Sequence, residues 1–351
     1  GVVTDRIRFG DDLNTVTYAS STAGVNVNLS GITGDGSAGS GTATDGLGGT
    51  DTLINVSRVI GSAYNDTLLG SSALMFEVFE GGAGDDTIDG GAVTDTLNGD
   101  NTNAAEYASA SAAVSVNLAT GAATGGAGND TLLNITQARG SAYNDTLTGS
   151  NTSLLTEQFE GRGGNDTIDG AGGLDLVRYY SATAGVRVNL ATGVATSLGA
   201  DAGIGTDTLF NIVGIRGSFN ADSLTGGNVT NDELEFFQGL AGNDTIDGGG
   251  GYDRADYNLS YAAVTVVLGG AASGTATGVD VGTDTLISIE GVRGSAFNDT
   301  LTGSDSAAFE SFEGREGNDR IDGKGGVDRV DYQTSKAGVT VNLAGGTASD
   351  G

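Results

Sequence analysis

The sequence predicts an all-β protein, a right-handed parallel β-roll or irregular β-solenoid built of tandem repeats. Two observations carry that expectation: one unit recurs four times, and each copy consists of short alternating apolar segments set between glycine-aspartate turns. A third argues against helix. Glycine supplies 63 of 351 residues, which disfavours helix, and no window sustains a helical period.

The unit is read from two series of turns. GSAYNDTLLGS, GSAYNDTLTGS, GSFNADSLTGG and GSAFNDTLTGS place Asp66, Asp145, Asp222 and Asp299 at intervals of 79, 77 and 77 residues; these are turn B. GGAGDDTIDGG, GRGGNDTIDGA, GLAGNDTIDGG and GREGNDRIDGK place Asp86, Asp166, Asp244 and Asp319 at intervals of 80, 78 and 75; these are turn C. Turn A precedes both, with Asp51, Asp130, Asp207 and Asp284. Turn D lies nine residues after C, with Asp95, Asp175, Asp253 and Asp328. The repeats run 19–107, 108–179, 180–257 and 258–332, with a degenerate partial repeat at 1–18 and the start of a fifth at 333–351. Residues 3–18 align without a gap on 317–332, so a piece of a longer repetitive protein is expected.

Each element has a local reason. Between D and the next A, a stretch such as AGVRVNLATGVAT alternates Val186, Val188 and Leu190 with polar residues, the period of a half-buried strand. After each motif aspartate, Leu68, Ile88, Leu132, Leu147, Ile168 or Ile246 is expected to point inward from a short strand. The 11 to 13 residues between turns B and C, ending in Phe-Glu-Gly or Phe-Gln-Gly, are expected to bulge from the coil, anchored by Phe79, Phe159, Phe237 and Phe312, with the Glu of the Phe-Glu pairs in solvent. In a parallel roll about nine residues cross to the opposite edge and about 18 return. Turns A, B and C are therefore expected on one edge and D on the other, with Asp66 beside Asp86, Asp145 beside Asp166, Asp222 beside Asp244, and Asp299 beside Asp319.

Composition removes whole chemistries. The chain has no Cys, His, Pro or Trp, and 45 acids against 15 bases give a net charge of −30. Thiolate and imidazole nucleophiles, zinc or haem ligation and disulfides are excluded, which leaves carboxylate and carbonyl oxygen. So acidic a chain repels nucleic acid and anionic membranes, and no apolar run approaches the ~18 residues of a membrane span. Every prominent acid sits in a repeated turn, so no active site is expected.

The local pattern G-G-x-G-x-D-x-U-x, with U a large apolar residue, is matched fully at 81–89 and 125–133. Here the chain resembles the RTX, or hemolysin-type calcium-binding, repeat family. The resemblance implies a calcium-stabilised roll. The chemistry agrees: glycines permit positive φ and close approach of carbonyls, and Ca2+ takes six to eight oxygens. The candidate ligands are the turn aspartates above, Asp89, Asp169, Asp247 and Asp322 at the ninth position, and the backbone of Gly82, Gly84, Gly126, Gly128, Gly164, Gly242 and Gly317. No normal site is expected at Gly10-Asp11-Asp12. With one ion on each of sixteen motifs, +32 would meet −30.

The resemblance also implies type I export of an unfolded chain to a calcium-rich exterior. Three function classes follow: a calcium-rigidified rod or filament of a bacterial surface or matrix protein, a secretion and folding module of an enzyme or toxin, or an adhesin face for glycans or ice. Ice or glycan binding would use the threonines after the motif aspartates. The expected partners are calcium ions, further copies of the chain or the rest of a longer one, and surface glycans. At about 18 residues per coil and ~4.8 Å per coil, four repeats would span roughly 80 Å.

Overall fold

The structure, a computed structural model, describes residues 13–32, 39–46, 48–73, 75–92, 102–152, 155–228 and 234–349. No described residue is helical, and no helix among them is long and apolar enough to cross a membrane. The fold is all-β and built on parallel ladders. The chain forms two compact bodies, Gly1–Val177 with Asp207–Ile212, and Arg178–Thr206 with Val213–Gly351.

In the first body one ladder is wholly parallel. It takes Thr15–Thr17, Arg58–Ile60, Glu77–Glu80, Asn103–Glu106, Gln137–Arg139, Gln158–Glu160 and the start of Leu176–Arg178 in that order. The chain alternates between this ladder and a second one. There Thr67–Leu69 pairs with Thr87–Asp89, which pairs with Gly128–Leu133; Thr146–Thr148 pairs with Thr167–Asp169, all in parallel. The second body repeats both. Gly214–Arg216, Leu234–Gln238, Tyr252–Asp256, Gly291–Arg293, Phe309–Glu313 and Val327–Val330 form one parallel ladder. Ser223–Thr225, Thr245–Asp247 and Gly282–Ile287 belong to the other.

Three-residue strands suffice because each has one inward side chain stacked on the same position above and below. Leu68, Leu147 and Ile168 are 0% exposed, as are Phe79 and Phe159 facing them. Each such side chain contributes about 2–3 kcal/mol of burial. The threonines at the head of these strands point outward: Thr87 pairs with Thr67 and Thr131, and all three are exposed.

Three local expectations are corrected. First, the alternating stretch before turn A is an antiparallel meander of three strands: Val114–Asn117, Ala122–Gly125 and Gly128–Leu133 in one repeat, Val264–Val267, Gly274–Gly278 and Gly282–Ile287 in another. Its outer strands continue the parallel stacking, through Val116 on Leu147 and Leu132 on Ile88. Second, the described residues between turns B and C supply a strand to the opposite ladder, with Phe79, Phe159, Phe237 and Phe312 all 0% exposed at its centre. Third, the residue after each Phe, Glu80, Glu160, Gln238 and Glu313, is buried. Glu80 accepts from Arg58, and Glu313 pairs with Arg293 at 2.6 Å.

Candidate metal sites

Turns A, B and C share one edge, where each hands a backbone N–H to the next carboxylate. Asp66 N–H donates to Asp86 Oδ1 at 2.8 Å, and Asp86 N–H to Asp130 Oδ1 at 3.0 Å. The same relay joins Asp145, Asp166 and Asp207 at 2.8 and 3.1 Å, Asp222, Asp244 and Asp284 at 2.9 and 3.0 Å, and Asp299 with Asp319 at 2.9 Å. Turn D lies on the other ladder. Asp253 is opposite Glu235 and Asp328 opposite Glu310, and Leu176 N–H donates to the carbonyl of Glu157 beside Asp175.

The relay leaves the aspartates chemically unequal. At turn B the chain satisfies both oxygens. Asp66 Oδ1 accepts from Val25 N–H and the Ser62 hydroxyl, each at 2.7 Å, while Oδ2 accepts from Ser62 N–H. Asp145, Asp222 and Asp299 receive the same three donors from Val114 and Ser141, Val186 and Ser218, and Val264 and Ser295. At two turn A aspartates a tyrosine hydroxyl supplies a donor. Tyr257 donates to Asp284 Oδ2 and Tyr18 to Asp51 Oδ2, both at 3.0 Å.

Turns C and D differ. Asp86, Asp166 and Asp244 are at most 2% exposed, yet Oδ2 of each receives no hydrogen bond. Neither oxygen of Asp175 or Asp253 receives one, at 0 and 1% exposure. A buried carboxylate oxygen without a donor is costly, and an ion is one of few explanations for a repeated one. Burial first, then neighbouring carboxylates, push Asp86, Asp166 and Asp175 up to about 7 and Asp244 and Asp253 up to about 8.

The backbone around these oxygens is built for close approach. At Gly84, with φ +132, a Cβ would lie 2.7 Å from the carbonyl carbon of Tyr64 in turn B below; at Gly164, with φ +116, one would lie 2.4 Å from the Tyr143 carbonyl oxygen. A Cβ on Gly81, Gly161 or Gly239 would fall 2.1, 2.0 or 2.2 Å from the orphaned Oδ2 itself. Gly242 and Gly317 repeat the left-handed turn, as does Gly82. Among the described residues no three carboxyl side chains gather on one point, so a cation here would draw on one or two carboxylates completed by carbonyls. That donor set fits calcium, which accepts carbonyl-rich, irregular oxygen shells.

The ninth-position aspartates have a different role. Asp89 Oδ1 accepts from Gly91 N–H at 3.0 Å and Asn134 Nδ2 at 2.7 Å, and Asp169 from Ala171 N–H at 2.9 Å and Asn211 Nδ2 at 2.8 Å, closing the loop into turn D. Asp247 and Asp322 accept from Gly249 and Lys324 in the same way.

One candidate segment has a different local structure from the one expected. Residues 125–133 match the nine-residue pattern in full, yet Gly125 pairs with Gly128 across a tight hairpin turn containing Gly126, and Asp130 lies within a strand. The hairpin partner decides this. Asp95 lies outside the described residues, as does Gly10-Asp11-Asp12; the residue in register with Glu77, where other repeats carry the turn D aspartate, is Asn103. Its Nδ2 donates to the Gly90 carbonyl.

Glu77, Glu157, Glu235 and Glu310, 1 to 4% exposed beside turn D, were not among the expected ligands. The signal was present: each stands two residues before the core Phe. Variable loops between the preceding Gly and this Glu hid it.

The comparisons agree with this sorting. The family model of the RTX calcium-binding nonapeptide repeat matches four segments, residues 76–103, 156–178, 231–256 and 309–332. Each holds a turn C and extends to the turn D position, ending at Asn103 in the first; none includes a turn A or B. No curated protein matches the chain.

Proposed function

We infer that this chain, an array carrying four copies of the RTX calcium-binding repeat, is a load-bearing stretch of a secreted bacterial protein that becomes rigid when it meets calcium outside the cell. One observation carries the reading. The same buried carboxylate oxygens are left without a donor in successive repeats, and a bound cation would satisfy them. Bound there, calcium supplies positive charge and a polydentate link between stacked coils. The chain's own part is to hold carboxylates and carbonyls in register on glycine turns and to bury Phe and Leu columns behind them.

In this reading the array does no chemistry, and its length is its function, in a rod or filament of adhesin, matrix or surface-layer type. Export through a type I system fits a chain that stays expanded until calcium is present. Circular dichroism in EGTA and then in millimolar calcium tests the folding step: a coil spectrum turning to β-sheet is expected, and a folded spectrum in chelator would sink it. Electron microscopy tests the assembly: filaments that vanish in chelator are expected, and compact monomers in calcium would remove the fibre reading.

A further inference from the structure

We propose that each repeat alternates a cation-binding coil with a coil that closes its own carboxylates through serine, so that only half of the stacked acidic turns take calcium. The inference rests on the calcium reading of turns C and D, and adds to it an assignment of which turns are excluded and which residue excludes them.

The self-closed coil runs from turn B to the glutamate on the opposite edge, and a Gly-Ser pair stands at both its turns. On one edge Ser62, Ser141, Ser218 and Ser295 donate N–H and hydroxyl to Asp66, Asp145, Asp222 and Asp299. On the other edge Ser150 donates N–H to Glu157 Oε2 at 2.6 Å and its hydroxyl to Oε1 at 2.8 Å; Ser304 does so to Glu310 at 2.9 and 2.6 Å. Ser71 N–H donates to Glu77 Oε2 at 2.8 Å, and Oε1 of Glu77 receives no hydrogen bond, so the first repeat closes only one oxygen. In the third repeat the pair is Gly226-Gly227, and the Gly227 N–H alone reaches Glu235, at 2.8 Å to Oε2 and 3.0 Å to Oε1. Charge-assisted donors to both oxygens are what a buried carboxylate needs in the absence of a cation.

The backbone at the second turn position separates the two kinds of coil. At turn C this residue is left-handed in every repeat: Gly82 at φ +101, Arg162 at 71, Leu240 at 71 and Arg315 at 72. At turn D it is left-handed again, in Gly91, Ala171, Gly249 and Lys324. None of the serines donating to these acids, Ser62, Ser71, Ser141, Ser150, Ser218, Ser295 and Ser304, has a positive φ. An extended-side serine turns its N–H onto the acid four residues on, whereas the left-handed residue turns its N–H away and leaves Oδ2 bare. Arg, Leu, Ala and Lys hold that conformation at about 1 kcal/mol each, strain of the kind that persists at ligand clamps. In the first three repeats each turn C then lies between a serine-closed turn B, whose carboxylate is already held by hydrogen bonds, and a turn A.

The test uses the whole chain. Crystals grown in calcium, or soaked with a lanthanide, should give anomalous peaks at turns C and D and none at Asp66, Asp145, Asp222 or Asp299. In solution, calcium counted by equilibrium dialysis should saturate at about seven ions, four at turn C and three at turn D. Asp166→Asn should lower the count by one, and Asp145→Asn should leave it unchanged while the spectrum in calcium stays β. A peak on a serine-closed turn, or a lost ion in Asp145→Asn, overturns the proposal and leaves the calcium reading standing. Absence of bound calcium anywhere overturns both. The crystal experiment needs no variant, so a failure of either variant to fold does not remove the test.

Discussion

At the scale of single residues, the turns store strain where the ligand oxygens converge, and side-chain identity sets how much. Leu240 occupies a left-handed position that Gly82 fills in the first repeat, with φ 71 against +101. A β-carbon costs about 1 kcal/mol there, so Leu240→Gly should raise stability in calcium by about that amount, read from the midpoint of chemical denaturation. Two positions further along, the requirement is absolute. Gly164 has φ +116, and any Cβ would meet the Tyr143 carbonyl oxygen at 2.4 Å. Gly164→Ala should therefore cost about 2–3 kcal/mol and weaken calcium binding at Asp166, since relief requires turns B and C to separate. Gly49→Ala is the control: its φ is ordinary, nothing lies within 4 Å of its Cβ, and the change should be neutral or slightly stabilising. If Gly164→Ala is as mild as Gly49→Ala, the close stacking of turns B and C is wrong.

At the scale of elements, each repeat is an ordered set of strands in which the turn D position is the least uniform part. In the first repeat Asn103 stands in register with Glu77, whereas later repeats set Asp253 against Glu235 and Asp328 against Glu310. Asn103→Asp should add one bound calcium and, in chelator, destabilise the repeat. A second buried carboxylate would then face Glu77, which burial already pushes up to about 7. An unchanged ion count with unchanged chelator stability would show that this edge binds nothing. The period, the inward Leu, Ile and Phe columns and the division of turns between two edges were all legible in the sequence, because they depend on spacing and on two-residue alternation. What was not legible depends on partners distant in the chain. Residues 125–133 read as a calcium turn until Ala122–Gly125 pairs with Val114–Asn117 and makes them a hairpin. That Tyr257 and the turn B serines donate to the oxygens of Asp284 and the turn B aspartates was not legible either. That Asn103 stands in register with Glu77 could not be read from the nine-residue spacing, and Asp95, to which that spacing points, lies outside the described residues.

At the scale of the whole molecule, the net charge of −30 is met in more than one way. One ion per motif would overshoot it, but about seven ions add roughly +14, and serine donors and arginine pairs such as Arg58 with Glu106 at 2.6 Å hold other acids. The acids left for calcium are those whose protons bind most tightly in the folded, cation-free state. Asp86, Asp166 and Asp175 stand near 7 and Asp244 and Asp253 near 8, all above the ~4 of an unfolded aspartate. Raised folded values mean that the cation-free fold binds more protons than the unfolded chain between pH ~4 and ~8. Its stability is therefore greatest at the acid end of that window and falls as pH rises through 7 to 8. Calcium reverses the slope, because a ligand carboxylate must first lose its proton. In chelator, β-sheet signal should grow as pH is lowered from 8 to 5. In calcium, the concentration needed for half-folding should rise about tenfold or more from pH 8 to pH 6. Circular dichroism titrations at the two pH values read both slopes. Parallel slopes with and without calcium would mean that protons and cations do not compete for the same oxygens, and the orphaned carboxylates of turns C and D would then not be the ligands.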